Sequence, residues 1–166
     1  PDSLYQTSTI DGRYRYRLSG TRGTVHYLSL SAFSGNYGAG KDRLGVMGFL
    51  DGNELVVDDD GRFEVILSQT RDAKNWIEMR PEAGTLAIRQ FFLDRESESP
   101  AQLRIERLDA TETLAPLTPE RFGRALKGAA AFVAGCSTIF TDWVDELAKN
   151  ARNTFTTHAP PAQGAW

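Results

Sequence analysis

Between residue 4 and about residue 108 the sequence is a succession of short runs rich in Tyr, Val, Ile, Phe and Leu, separated by clusters of Gly, Asp, Asn and Pro. Aromatic and β-branched residues favour strands, and the separating residues favour turns. This spacing is typical of a β sandwich or barrel. The predicted strands are residues 4–8, 14–19, 25–34, 44–50, 54–57, 63–67, 76–79, 86–93 and 102–108. We therefore expect a mainly β fold, an antiparallel, jelly-roll-like β sandwich over residues 1–117.

The clearest unit in this region is residues 54–68, in which two β-branched runs flank three aspartates and Gly61. The pattern predicts a hairpin whose turn needs a glycine with positive φ. A calcium site is disfavoured, because an EF-hand loop alternates its ligands along twelve positions and consecutive aspartates point in different directions. The Asp-Gly pairs that end in Gly12 and Gly52 predict two further tight turns of the same kind.

The periodicity changes after residue 109. Thr118, Pro119 and Glu120 suit the N-cap, the first helical position and the first turn of a helix. Apolar residues then recur in alternating steps of four and three. They are Phe122, Leu126, Ala129, Val133, Cys136, Phe140, Trp143 and Leu147. The pattern predicts one long amphipathic helix over residues 118–150 and an irregular tail over residues 151–166.

We expect this helix to lie across its own sheet, because Ala125, Phe132 and Ile139 widen the apolar stripe beyond a coiled-coil seam. The alternative is a partner helix, and with it a homo-oligomer formed through residues 118–150. Gly128 and Gly135 are each expected to weaken the helix by about 1 kcal/mol relative to alanine.

Composition excludes several classes of protein. A net charge of -3 argues against a domain that binds a nucleic-acid backbone. No apolar run reaches the ~18 residues of a membrane span, so we expect a soluble protein with no membrane partner, cytoplasmic or periplasmic. Cys136 is the lone cysteine, which excludes an internal disulfide and a thiolate zinc site. No motif for a metal or a cofactor is present, and we expect neither.

Several phrases resemble the bacterial family known as domain of unknown function 1214. They are NWIEM at 75–79, LAIRQFFLD at 86–94, PAQLRIER at 100–107, PDSLY at 1–5 and NTF at 153–155. The resemblance implies a jelly-roll-like sandwich and names no activity. Family members continue where this chain stops, so it also implies a part of a longer protein. Arg95 stands where the family phrase tends to carry tryptophan.

The candidate site residues come from a search for chemistry. No nucleophile motif or zinc spacing is present, and the histidines are His26, inside a predicted strand, and His158, in the tail. Arg89 interrupts an apolar strand, which predicts either a structural ion pair or a residue that recognises an anion. Aromatic side chains that could wall a site around it are Tyr5, Tyr27, Trp76 and Phe92.

Two functional hypotheses follow. The first is a binding or structural module for a carbohydrate or a small anionic ligand, with Arg89, Tyr5, Tyr27, Trp76 and His26 as the candidate ligand-binding residues. The second is a hydrolase or lyase that uses Arg89 together with a carboxylate, for which Glu64 and Glu78 are the candidates. Whether these side chains converge on one surface discriminates between the two.

Overall fold

The computed structural model describes residues 2–38, 45–109 and 116–154, and within them eight strands precede one long helix. The strands are β1 (Ser3–Asp11), β2 (Tyr16–Thr21), β3 (Tyr27–Ser34), β4 (Gly45–Asp51), β5 (Arg62–Ser68), β6 (Trp76–Glu78), β7 (Ala83–Phe91) and β8 (Gln102–Arg107). The helix is α1 (Pro119–Asn150). The predicted fold class, a β sandwich followed by one long helix, is confirmed.

The strands form two four-stranded sheets, in the orders β1-β7-β3-β4 and β6-β5-β2-β8. Neighbouring strands are antiparallel, except that β5 and β6 run parallel. The chain passes repeatedly from one sheet to the other, so residues far apart in sequence become neighbours across each sheet. The apolar faces of the two sheets close on each other.

Strand alternation separates the core from the surface. In β5, Phe63, Val65 and Leu67 are buried, whereas Arg62 before them and Glu64 between the first two are exposed. The buried core cluster consists of Ile10, Leu18, Leu28, Leu30, Ala32, Met47, Leu50, Leu55, Phe63, Val65, Leu67, Ile77, Met79, Leu86, Ile88 and Ala101.

The predicted hairpin over residues 54–68 is wrong in its first half, because residues 54–57 are not a strand. Its turn is correct: the backbone N–H of Gly61 donates to the carbonyl of Asp58, and Gly61 has φ +79°. The segment before the turn is bonded instead by the side chain of Asn75, which both donates to and accepts from the backbone of Val56 at 2.8 Å. Hydrogen bonds of the Asn75 side-chain amide therefore replace the backbone hydrogen bonds that a paired strand would make over residues 54–57.

Gly12 and Gly52 were predicted to adopt positive φ, and they do not. Each lies against another backbone segment instead. A Cβ at Gly12 would meet the carbonyl oxygen of Arg80 at 1.5 Å, and one at Gly52 would meet that of Leu28 at 2.3 Å. Close packing, rather than turn conformation, requires glycine at these two positions.

Helix α1 begins and ends within a residue of its predicted bounds. The Thr118 hydroxyl accepts a hydrogen bond from the backbone N–H of Arg121, and Pro119 occupies the first turn. Backbone N–H donation in that turn, together with the Thr118 hydroxyl, lowers the pKa of Glu120. Of the predicted tail, residues 151–154 are irregular, and the remainder, His158 included, lies outside the described residues.

The expectation that α1 lies across the sheet is wrong, since none of its residues is buried. It meets the sandwich at the segment after β3, where the Tyr37 ring contacts those of Phe132 and Phe140 at centroid distances of 5.6 and 6.3 Å. The physical reason is that each sheet already covers the apolar face of the other. Within the described part of the chain, no helix is both long enough and apolar enough to span a membrane.

Candidate functional site

Arg89 lies on the outer face of the β1-β7-β3-β4 sheet. Its neighbours Ile88 and Gln90 are buried on the inner face, so alternation along β7 turns Arg89 outward. The register places Tyr5 opposite Arg89 on β1, Ser29 opposite Arg89 on β3, and Asp51 opposite Ser29 on β4. These four residues form one row across all four strands of the sheet.

Aromatic rings surround the partly exposed Arg89 side chain. Its guanidinium carbon lies 5.7 Å from the centre of the Tyr5 ring and 5.8 Å from that of Phe33, both within cation–π range. Phe91 contacts Tyr5 edge-on, with centroids 6.3 Å apart, and contacts Tyr27 at 5.9 Å. We call this part of the sheet the Arg89 face: Tyr5, Tyr27, Ser29, Phe33, Asp51, Arg89 and Phe91. Ser29 and Phe33 are buried within it, whereas the other five residues are at least partly exposed.

One border of the Arg89 face is a hydrogen-bonded pair. The Tyr27 hydroxyl donates to the Asp51 carboxylate at 3.0 Å, and the other carboxylate oxygen accepts from the backbone N–H of Asn53 at 2.8 Å. Burial of the phenol, reinforced by the bond to Asp51, raises the pKa of Tyr27. The face therefore offers a cation at its centre and a phenol–carboxylate pair on β3 and β4.

Trp76 lies on a different surface. It belongs to β6 in the other sheet, and its indole N–H donates to the Ser68 hydroxyl at 2.9 Å. It lines a cleft of about 330 Å³ whose charged residues are Glu54, Arg71, Lys74 and Glu78. Trp76 therefore lies apart from Arg89. The Trp76 cleft reaches the sheet that contains Arg89 at β4, where Phe49 also lines the cleft.

His26 lies just before β3 and is exposed. Its backbone N–H donates to the carboxylate of Glu98 at 3.2 Å, which also accepts from the backbone N–H of Leu93 at 3.3 Å. The predicted strand over residues 25–34 begins at Tyr27, so His26 is outside the sheet and outside the row that contains Arg89.

The two candidate carboxylates are not on the Arg89 face. Glu64 lies on the outer face of the opposite sheet, where its carboxylate is 3.5 Å from the Arg17 guanidinium. Glu78 lines the Trp76 cleft. Since stacked sheets are about 10 Å apart, Glu64 and Arg89 are separated by the thickness of the sandwich.

Three alternating arginines near the start of the chain, Arg13, Arg15 and Arg17, are each paired with an acidic side chain. The expected strand over residues 14–19 begins only at Tyr16, so Arg13 and Arg15 precede β2. Arg13 pairs with Asp11 at 2.6 Å, lowering the pKa of that carboxyl, and Arg15 pairs with Asp72. Arg17 pairs with Glu106 at 3.1 Å.

Four residues of the Arg89 face were not predicted from the sequence: Phe91, Phe33, Ser29 and Asp51. Alternation alone could have identified Phe91, because it is two residues beyond Arg89 on the same strand. Phe92, proposed as a wall, is buried away from this face and stacks against the Arg95 guanidinium at 4.2 Å. The other missed residues belong to β3 and β4, so their proximity depends on a register that no local pattern reveals.

Among the described residues, no three His, Cys, Asp or Glu side chains come together in a way that could hold a metal ion. The three consecutive aspartates form the turn between residue 57 and β5. Arg89 with its aromatic neighbours and the Trp76 cleft are therefore two places on the described surface where a ligand could be recognised. A further cleft of about 380 Å³ lies on the outer face of the opposite sheet and includes Asp58, Arg62 and Glu64 in its lining.

No family model and no curated protein matches the chain, so its resemblance to domain of unknown function 1214 stays a prediction. Among solved structures, it is similar to an uncharacterised protein from Burkholderia cenocepacia, with 46% identity and a TM-score of 0.80 over 86% of this chain. A protein from Vibrio parahaemolyticus, 16% identical with a TM-score of 0.51 over 64% of this chain, is similar in fold alone. The chain spans 39% and 31% of the lengths of these two proteins.

Proposed function

We propose that this domain is a binding module that takes a small anionic ligand, in particular an acidic sugar, on the Arg89 face. The observation that carries the proposal is the partly exposed Arg89 at the centre of the sheet, within 6 Å of two aromatic ring centres. A guanidinium has a planar fork of donors that matches carboxylate and phosphate geometry.

The neighbouring groups favour a ligand that is both anionic and hydroxylated. Tyr5 is 53% exposed and offers a ring against which the carbon face of a sugar can lie. Across the row, the Tyr27–Asp51 pair can exchange hydrogen bonds with hydroxyl groups. Arg89 and Asp51 are two strands apart, about 10 Å at ordinary strand spacing, which is a span that one small ligand can bridge.

Calorimetric titration with galacturonate, and with galactose as the neutral analogue, tests this proposal. We expect galacturonate to bind the unmodified chain and galactose to bind at least tenfold more weakly. Arg89→Gln should weaken galacturonate binding by roughly ten- to a hundredfold, because a hydrogen bond to a charged group contributes about 1.5–3 kcal/mol.

The matched control is Arg104→Gln, which removes a guanidinium from the outer face of the opposite sheet, where its side chain is 76% exposed. Galacturonate affinity should be unchanged in this variant, and circular dichroism should show both variants folded. Equal loss in the two variants would mean that net charge, and not the Arg89 face, controls binding. Equal affinity for galactose and galacturonate would also overturn the proposal.

A carboxylate-dependent hydrolase or lyase has less support. The two carboxylates expected to serve it, Glu64 and Glu78, lie away from Arg89, and the acidic residue in the Arg89 row is Asp51, which is bonded to Tyr27. A binding function therefore accounts for more of the observed geometry.

A further inference from the structure

The Trp76 cleft lies where the two sheets meet at one edge of the sandwich. It is bounded by β4, the end strand of one sheet, and by β6, the end strand of the other. A Cβ at Gly48 of β4, which lines the cleft, would lie 2.6 Å from both the backbone nitrogen and the carbonyl oxygen of Glu78 on β6. The two strand backbones are therefore in direct contact, and the fold itself fixes the width of the cleft.

The aromatic wall of the cleft is held in one orientation. The Ser68 hydroxyl, which accepts the indole N–H of Trp76, donates in turn to the carbonyl of Thr70 at 2.7 Å. Ser68 is only 3% exposed, so water does not readily replace either bond. The half-buried Trp76 ring, with Phe49 as a second ring in the lining, is thus a preformed apolar surface.

Four exposed charged side chains, two of each sign, surround this apolar surface: Arg71, Lys74, Glu54 and Glu78. The guanidinium carbon of Arg71 lies 6.0 Å from the centre of the Trp76 ring, at the limit of cation–π range. Over the described ranges of the chain, none of the four forms an ion pair. The charges of the cleft therefore sum to zero without neutralising one another in pairs.

Arginines on other surfaces of the sandwich do pair with carboxylates. Arg13, Arg17 and Arg104 each have a carboxylate oxygen within 3.3 Å. In the Trp76 cleft, opposite charges line one cavity of about 330 Å³ and remain separate. A ligand can therefore pair with either sign without first breaking an ion pair.

One cation and one carboxylate of the cleft come from segments that Asn75 joins. Lys74 directly precedes Asn75, and Glu54 lies two residues before Val56, whose backbone is bonded to the Asn75 amide. The backbone N–H of Glu54 also donates to the carbonyl of Asp51 at 3.0 Å. The backbone positions from which these two charges extend are thus fixed by hydrogen bonds.

This lining disfavours a ligand with a single charge. An anion attracted by the two bases enters a cleft that also holds two carboxylates, and a cation meets the converse difficulty. A zwitterion pairs with both signs at once, and repulsion from like charges discriminates against singly charged competitors. The Trp76 ring favours an aromatic group on the same ligand, because two rings attract each other in offset or edge-on contact.

We propose that the Trp76 cleft is a second binding site, distinct from the Arg89 face, and that it binds a zwitterionic aromatic α-amino acid. The ligand carboxylate pairs with Arg71 and Lys74, its ammonium group pairs with Glu54 and Glu78, and its ring lies against Trp76. The volume of about 330 Å³ is at the small end of the range for pockets that bind small molecules.

Calorimetric titration of the full chain with L-phenylalanine tests this proposal. Two analogues keep the ring and one charge: 2-phenylethylamine lacks the carboxylate, and 3-phenylpropionate lacks the ammonium group. We expect L-phenylalanine to bind at least tenfold more tightly than either analogue, because each analogue loses charge-assisted hydrogen bonds to one pair of side chains.

Paired variants assign the two charges of the ligand. Arg71→Gln combined with Lys74→Gln should weaken L-phenylalanine binding at least tenfold, and it should not weaken binding of 2-phenylethylamine. Glu54→Gln combined with Glu78→Gln should also weaken L-phenylalanine binding at least tenfold, and it should not weaken binding of 3-phenylpropionate. Since all four positions are exposed, circular dichroism should show both paired variants folded.

Two controls separate this site from the Arg89 face and from net charge. Arg89→Gln should leave L-phenylalanine affinity unchanged, and the three ligands are titrated again in this variant to remove any contribution of the Arg89 face to 3-phenylpropionate binding. Arg62→Gln combined with Arg104→Gln removes two exposed cations outside the lining of the cleft, and affinity should again be unchanged.

Three results would overturn the proposal. The first is no binding of L-phenylalanine up to its solubility limit. The second is equal affinity for L-phenylalanine and either analogue, which would mean that only the ring is recognised. The third is a loss in Arg89→Gln, or in the Arg62 and Arg104 control, that equals the loss in the Arg71 and Lys74 pair. Galacturonate binding is measured separately, so none of these results bears on the Arg89 face.

Discussion

At the scale of the residue, Asn75 shows how one buried side chain determines the path of a segment. Its amide bonds the backbone N–H and carbonyl of Val56 and also donates to the carbonyl of Glu64 at 2.9 Å. Asn75 is only 6% exposed, so water does not readily replace these bonds. The amide thus joins residues 54–57 to β5 without a strand ladder.

Asn75→Ala should lower the free energy of unfolding by about 2–3 kcal/mol, because it leaves partly buried backbone groups without their partner. Urea denaturation followed by circular dichroism measures this loss. Asn53→Ala, at an exposed turn position, is the matched control and should change stability by no more than about 0.5 kcal/mol. Similar losses in the two variants would show that the Asn75 bonds contribute little.

At the scale of the element, two glycines of α1 have different roles that the sequence does not distinguish. A Cβ at Gly128 would have no atom within 4 Å, whereas a Cβ at Gly135 would lie 1.8 Å from the carbonyl oxygen of Tyr37. Of these two glycines, Gly128 is therefore the one expected to show the full cost of about 1 kcal/mol relative to alanine. At Gly135 the missing side chain permits the contact with the sandwich.

Gly128→Ala should strengthen the circular dichroism signal of the helix at 222 nm and raise the midpoint temperature of its thermal unfolding. The reason is that alanine stabilises a helix by about 1 kcal/mol relative to glycine. Gly135→Ala should lose this gain, because the segment at Tyr37 must move away to admit the new methyl group. Gly123→Ala, which also has open space, serves as the control and should resemble Gly128→Ala. Equal gains at Gly128 and Gly135 would contradict the close contact.

Local patterns predicted most elements well. The helix was placed at residues 118–150 and is found at Pro119–Asn150, because capping and a period of 3.6 residues are properties of adjacent residues. β5 was likewise predicted, from the β-branched run that follows the Gly61 turn. Residues 54–57 have the same β-branched composition but are not a strand. A strand needs a neighbouring strand to pair with, and this segment is bonded by the Asn75 side chain instead.

At the scale of the whole molecule, the sandwich and the helix are largely independent. The core cluster is formed by residues that precede the helix, and no residue of α1 is buried. The sheets therefore cover each other without a contribution from the stripe.

Removal of residues 118–166 should change the free energy of unfolding of the sandwich by no more than about 0.5 kcal/mol. The near-ultraviolet circular dichroism of Trp76, measured in urea at a low protein concentration, follows the sandwich. Loss of the cooperative sheet transition would contradict independence of the two parts.

The sequence alone determined the β character of the chain, the helix with its cap and stripe, and Arg89 as an unusual charge in an apolar strand. These features depend on residues that are close in the chain, whose alternation and capping chemistry can be read directly. Only the tertiary structure decided that Arg89, Tyr5, Ser29 and Asp51 share one row, that Glu64 lies on the opposite face, and that α1 stays uncovered. The physical reason is that strand register and sheet closure arise from pairing between distant segments, which local periodicity does not encode.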